Sequence, residues 1–157
     1  MSGSFLRSQM GRINQGMMSS DKDYWETPQA LFDQLDELFH FTLDPCSTHE
    51  NAKCAKHYTK EEDGLSKSWE GETVFCNPPY GSDGKRWIAK CAKEAEHATI
   101  VALIPARTDV IAFHEHIYRK PGVMVKFLRG RLRFELGGGT SEHCPVPVDA
   151  GRLRRAY

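Results

Sequence analysis

The chain has 157 residues, 21 Lys+Arg against 21 Asp+Glu, a formal net charge of zero and a hydrophobic fraction of 39%. That length suits one domain, able to bury about two-thirds of its unfolded surface, and the zero balance argues against a chain that is basic all over, as many nucleic-acid binders are. No apolar run is long enough for a bilayer and no stretch reads as a signal peptide, so no membrane partner is expected, and an odd count of five cysteines fits a reduced, cytoplasmic compartment.

Residues 1–22 carry Gly, Ser, Gln and Met without periodicity and read as a flexible arm ahead of a domain over 23–141. Thr27-Pro28 reads as a helix start, Thr as N-cap and Pro at the first helical position. Leu31, Phe32, Leu35, Leu38 and Phe39 then recur at helical spacing. A short strand is expected over Phe41 to Asp44. Residues 47–72 are polar and give no clear element. Thr73 to Cys76 reads as a strand. It runs into Asn77-Pro78-Pro79-Tyr80-Gly81, where two prolines remove donors and fix φ, so neither strand nor helix continues. Asp83 is a candidate cap for a helix through about His97, with Trp87, Ile88, Cys91 and Ala95 inward. Thr99 to Ile104 is a continuous apolar run typical of a buried parallel strand. A helix from Asp109 to Tyr118 and a strand from Val123 to Leu128 follow. Alternating strands and helices imply an α/β fold with a mostly parallel sheet and ligands at the carboxyl ends of its strands.

Asn77-Pro78-Pro79-Tyr80 carries the sharpest chemical signal. An exocyclic amine such as adenine N6 shares its lone pair with the ring and is a poor nucleophile. Two acceptors on its two N–H bonds pull the nitrogen toward tetrahedral geometry and free that pair. The Asn77 side-chain oxygen supplies one acceptor and the Pro78 carbonyl the other, with the prolines fixing the carbonyl's direction. Tyr80 offers a ring on which a base removed from the duplex stacks. Asn in place of Asp suffices, because the task is hydrogen-bond acceptance. A plain strand-to-helix turn uses the same dipeptides; the placement between an apolar strand and a helix favours the chemical reading.

Taken together, Trp25-Glu-Thr-Pro-Gln-Ala-Leu-Phe, Leu43-Asp-Pro-Cys, Asn51-Ala, Asp63-Gly-Leu, Trp69, Phe75-Cys-Asn-Pro-Pro-Tyr-Gly, Leu103-Ile-Pro-Ala-Arg-Thr-Asp, Phe113-His and Gly130-Arg-Leu-Arg-Phe resemble the phage-type DNA N6-adenine methyltransferases across roughly residues 24–141. The resemblance implies a compact Rossmann-like domain that moves a methyl group from S-adenosylmethionine to adenine N6 in DNA, phage- or prophage-encoded and at work in the bacterial cytoplasm. It implies that Asn77, Pro78, Pro79 and Tyr80 hold the target adenine. It puts Asp44, Pro45 and Cys46 at the cofactor and Thr27 and Pro28 at its methionyl end; Asp63 reads equally as a contact to the cofactor ribose and as a capping or turn residue. Arg107, Thr108 and Asp109 would face the cleft. Apart from the resemblance, Lys126, Arg129, Arg131 and Arg133 fall within eight residues and form a local basic patch that favours DNA, against a solvated strand edge. Asp44-Pro45-Cys46-Ser47 replaces the Gly-rich loop common after the first strand, and the short span between Asp44 and Asn77 leaves the usual middle strands short or missing.

Other readings use the same residues. Cys46, His49, Cys54 and His57 have a spacing that can hold tetrahedral zinc, against incidental Cys and surface His; no metal is expected. Asn-Pro-Pro-Tyr also serves methyltransferases acting on protein glutamine amides, although the chain has little room for a domain that recognises a protein, and no obligate protein partner is evident. His114 and His116 could shuttle protons, but they also fit a solvated helix face. Trp25 and Trp87 read as core.

Residues 142–157 depart from the pattern. The resemblance leads one to expect a turn and an apolar terminal strand, but Glu142 to Tyr157 has two prolines and no apolar run. Codons for this stretch, read one nucleotide later, can give Ser-Thr-Ala-Pro-Phe-Pro-Ser-Met-Leu-Val-Val-Tyr-Gly-Ala, which is that turn and strand. The expectation is a frame change near codon 142, a tail outside the sheet, a domain lacking its normal terminal strand, and potentially an inactive remnant that only binds DNA or cofactor.

Overall fold

The computed structural model describes residues 26–128 in full and the backbone of 133–136, 140–143 and 148–153. The central sheet has the order β2-β1-β3-β4-β8-β5. Its strands are β1 (Leu43–Asp44), β2 (Lys56–His57), β3 (Thr73–Cys76), β4 (Thr99–Pro105), β5 (Val123–Phe127) and β8 (Val148–Leu153). β1 to β4 run parallel, and β8 is antiparallel to both neighbours. β6 (Arg133–Leu136) and β7 (Thr140–His143) form a separate antiparallel pair. The mostly parallel α/β sheet expected from the sequence is present.

Both faces of the parallel part are covered, as a sheet of near-continuous apolar strands requires. Val74, Cys76, Ile100, Ala102 and Ile104 join a core with Trp69, Trp87, Cys91, Phe113 and Ile117. That core seats α2 (Gly84–Glu94) and α3 (Ile111–His116). Phe75, the intervening residue of β3, packs instead with Phe32 and Cys54 beneath α1 (Gln29–Phe39). Strand alternation thus sends neighbouring side chains of β3 to opposite layers.

Helix α1 begins one residue later than expected. Its N-cap is Pro28, with extended ψ and no side-chain capping bond, and the Pro28 carbonyl accepts from the Leu31 and Phe32 amides at 3.0 and 3.1 Å. Thr27 is therefore not a cap. Asp83 makes no capping bond to α2 either; it faces Arg86 at 3.6 Å on the exposed surface. Trp87 is core, 7% exposed, while Trp25 lies outside the described residues.

The span 47–72 holds two elements that hydrophobic period does not reveal: β2, only two residues long, and a 3-10 turn over Gly64–Ser66. Of the tail, the backbone of 142–143 and 148–153 is described. Val148–Leu153 is paired into the sheet, from Pro105↔Val148 to Ile100↔Leu153, and on its other side to β5. The terminal slot is filled because backbone pairing needs only N–H and C=O groups, and both prolines, Pro145 and Pro147, precede the paired stretch.

Candidate functional site

From β1 the chain passes to β2 on one side, and it returns through β3 to β4 on the other. The carboxyl ends of β1 and β3 therefore flank a reversal of strand order, where open α/β sheets form a ligand crevice. A cleft open to solvent lies there. Two turns build its walls: Asp44-Pro45-Cys46-Ser47 leaving β1 and Asn77-Pro78-Pro79-Tyr80 leaving β3.

The first turn is held by its own acid. Asp44 is 3% exposed; one carboxylate oxygen accepts from the Cys46 amide at 3.2 Å and the other from the Lys53 amide at 3.0 Å. Burial pushes its pKa up, opposed by those amides and by nearby His57 and Lys53. Glycine is required behind this turn. A Cβ on Gly64 would stand 2.1 Å from the Pro45 carbonyl oxygen, closer than any real contact. Cys46 faces the cleft as a thiol that burial and the Asp44 charge hold well above the usual range.

At the second turn, the Asn77 side-chain nitrogen donates to the Thr27 hydroxyl at 3.1 Å, joining the residue before α1 to the end of β3. The Ser47 hydroxyl lines the cleft, is 5% exposed, and has no hydrogen-bond partner among the described residues. Glu26 and Lys53 also line it, with the Lys53 ammonium donating to the Gln29 side chain at 2.9 Å.

Of the residues singled out in sequence, Thr27, Asp44, Cys46, Asn77, Pro78, Pro79 and Tyr80 come together as cleft walls. Pro45 is fully buried behind them, and Pro28 opens α1 beside them. Asp63 is not among the lining residues; it holds a left-handed turn (φ 51°) whose carbonyl takes the Ser66 amide and hydroxyl. Arg107 and Thr108 follow β4 at the same sheet edge, exposed and outside the lining. Lys126 is exposed on β5, Arg133 is described only in backbone, and Arg129 and Arg131 lie outside the described residues. The candidate zinc array does not assemble: among the described residues no three His, Cys, Asp or Glu side chains converge. His49 and His57 bond to each other at 2.9 Å, while Cys54 joins the Phe32–Phe75 cluster. The His114 ring bonds the Thr108 carbonyl at 2.8 Å, which bridges α3 to the loop after β4.

Sequence reasoning missed Glu26, Ser47, Asn51, Lys53 and Phe75 as lining residues. Asn51 had a signal, since it belongs to a quoted Asn-Ala pair; its side chain accepts from the Thr48 amide at 2.7 Å and closes the loop. Lys53 had none, because only the Asp44 clamp brings it back to the cleft.

Residues 15–152 match the family model described as DNA N-6-adenine-methyltransferase (Dam). The chain is also similar to two curated phage proteins. One, the DNA N-6-adenine-methyltransferase of Haemophilus phage HP1, is 37% identical over 65 residues, covering 40% of this chain and 38% of the relative. The other, of the same name and from Escherichia phage T1, is 31% identical over 110 residues, covering 67% and 46%. The chain thus spans less than half the length of these relatives. Among the described residues no helix is long and apolar enough to cross a membrane.

Proposed function

The chain belongs to the DNA N-6-adenine-methyltransferase (Dam) family, and from that premise we propose that its cleft moves a methyl group from S-adenosylmethionine to adenine N6 in DNA. The observation that carries this reading is the meeting of the Asp44 and Asn77 turns in one cleft at the strand-order reversal. The donor set supports the cofactor. A buried, unpartnered Ser47 hydroxyl with Glu26 and Asp44 on one hand and Lys53 on the other suits a ligand end bearing both charges. S-adenosylmethionine supplies the electrophilic methyl group on a sulfonium.

This chain's own residues handle the base. The Asn77 amide oxygen and the Pro78 carbonyl accept the two N6–H bonds, which shifts the nitrogen lone pair out of conjugation and toward the methyl. Pro79 holds the turn so that little ordering remains at binding. Tyr80 stacks on the flipped adenine, worth about 1–3 kcal/mol. Arg107, Thr108, Lys126, Arg129, Arg131 and Arg133 take the DNA backbone, a salt-dependent contribution. The reaction takes place in the cytoplasm of a bacterium carrying a phage or prophage, where both substrates are present.

The test is labelled S-adenosylmethionine with adenine-containing DNA, a DNA lacking adenine and a glutamine peptide. Label is expected on N6 of the first only. Asn77→Ala should lower turnover by on the order of 100-fold with cofactor affinity much less changed. Label on the glutamine peptide alone, or cofactor and DNA binding without transfer, would replace the reading with a protein methyltransferase or a binding remnant.

A further inference from the structure

We propose that the loop from Ser47 to Lys53 is a carboxylate-binding element of the cleft, with the Ser47 hydroxyl held out of water as its donor to the amino-acid end of S-adenosylmethionine. The inference rests on the methyl-transfer reading for the identity of the cofactor and goes beyond it in saying which end of that ligand this wall takes. Ser47 is anchored by its backbone, its amide donating to the Tyr58 carbonyl at 3.2 Å. Its hydroxyl lines the cleft, in a residue 5% exposed, and has no hydrogen-bond partner among the described residues. A buried polar group without a partner destabilises the free protein. A ligand that completes its bonding accounts for its presence in the wall of a cleft.

The rest of the loop says what kind of atom that ligand brings. The Asn51 side-chain oxygen accepts from the Thr48 amide at 2.7 Å. A backbone N–H can only donate, so the oxygen end of Asn51 is fixed on the loop, and its NH2 is the end left for the cleft that Asn51 lines. Lys53 adds an ammonium, which gives one bond to the Gln29 side chain at 2.9 Å and has further donors. The acid of the same wall offers little competition, because both Asp44 carboxylate oxygens are already engaged by the Cys46 and Lys53 amides. A wall with three donor groups and its acid engaged suits a group that is anionic and only accepts. Of the parts of S-adenosylmethionine, only the carboxylate is such a group. Glu26, which also lines the cleft, is the acid available to the ammonium of the same end.

The test uses two ligands on the full chain: S-adenosylhomocysteine, which carries the amino-acid end, and 5′-methylthioadenosine, which lacks it. Calorimetry reads their affinities, and thermal unfolding without ligand reads the free protein. Ser47→Ala should weaken S-adenosylhomocysteine on the order of tenfold and leave 5′-methylthioadenosine within about 2-fold. It should melt no lower than the parent, because a hydroxyl without a partner takes no bond with it when removed. Asn51→Asp keeps the acceptor for the Thr48 amide and puts a charged oxygen where the NH2 stood. It should weaken S-adenosylhomocysteine more than Ser47→Ala does and again spare 5′-methylthioadenosine. Equal losses for the two ligands, an unchanged affinity of Ser47→Ala for S-adenosylhomocysteine, or a lower melting temperature of Ser47→Ala without ligand would overturn the proposal. A parent chain that does not bind S-adenosylhomocysteine overturns it together with the cofactor reading. A parent that binds it but transfers no methyl group to DNA counts against the methyl-transfer reading alone, and the comparison of the two ligands still decides the role of the loop.

Discussion

Both carboxylate oxygens of Asp44 are tied to the chain that follows it, one to the Cys46 amide and one to the Lys53 amide. The acid at the end of β1 therefore shapes the wall of the cleft. Asp44→Ala should free both amides, each worth about 1.5–3 kcal/mol when bonded to a charged group, lower the melting temperature and weaken S-adenosylmethionine binding by roughly tenfold or more, as read by calorimetry. Asp44→Asn keeps one acceptor and should lose less. An unchanged affinity in Asp44→Ala would remove the turn from the cofactor site. At this scale the sequence is legible where chemistry needs consecutive residues, as in Asn77 to Tyr80. It is silent where a residue arrives by folding. Lys53 and Ser47 reach the cleft only through a loop that Asp44 closes, and Thr27 carries the local signature of a cap while its hydroxyl bonds a residue fifty positions away.

Helix α2 is joined to the loop before β3 through one buried acid. Glu94 accepts from the Trp69 amide at 2.8 Å and from Lys90 at 2.7 Å, and Lys90 also reaches the Lys67 carbonyl at 2.6 Å. Burial would raise the Glu94 pKa, but Lys90 and the Trp69 amide outweigh it and hold it below its ordinary value of 4.5. The sign follows: a carboxylate depressed in the folded state stabilises fully above its unfolded value, and that stabilisation is lost as pH falls through the lower, folded value. Glu94→Gln should cost about 1.5–3 kcal/mol at pH 7, and the gap to the parent should narrow in denaturant titrations as pH drops below 4. A gap constant with pH would mean that Glu94 acts by shape alone. The legibility of the elements divides along the same line. β4 was evident because a strand covered on both faces is apolar throughout. Residues 47–72 were opaque because side-chain-to-backbone bonds hold them, Asn51 to Thr48, Glu62 to Thr59 and Glu94 to Trp69, and such bonds leave no period.

The sheet as a whole is completed by β8, which separates β4 from β5. Its register sets Asp149 opposite Ile104 and Arg152 opposite Val101, both β4 residues almost fully buried. The shifted-frame segment would put Met, Leu, Val, Val and Tyr into this region instead. Exchanging residues 142–157 for that segment should raise the melting temperature by about 6 °C or more, since even two of these side chains, if buried, add about 3 kcal/mol or more and 1 kcal/mol shifts a domain of this size by about 2–4 °C. Thermal unfolding of the two forms decides it: equal or lower stability of the exchanged form would establish the tail as the sheet's proper strand. The position of β8 also sets a timetable. β4 is made some fifty residues before its partner, with Ile100 paired to Leu153, and β5 emerges between them. On the ribosome β5 is therefore made before the strand that joins it to the sheet, and until β8 has emerged β4 and β5 each carry an unpaired edge, the kind of exposed edge that invites association of unfinished chains.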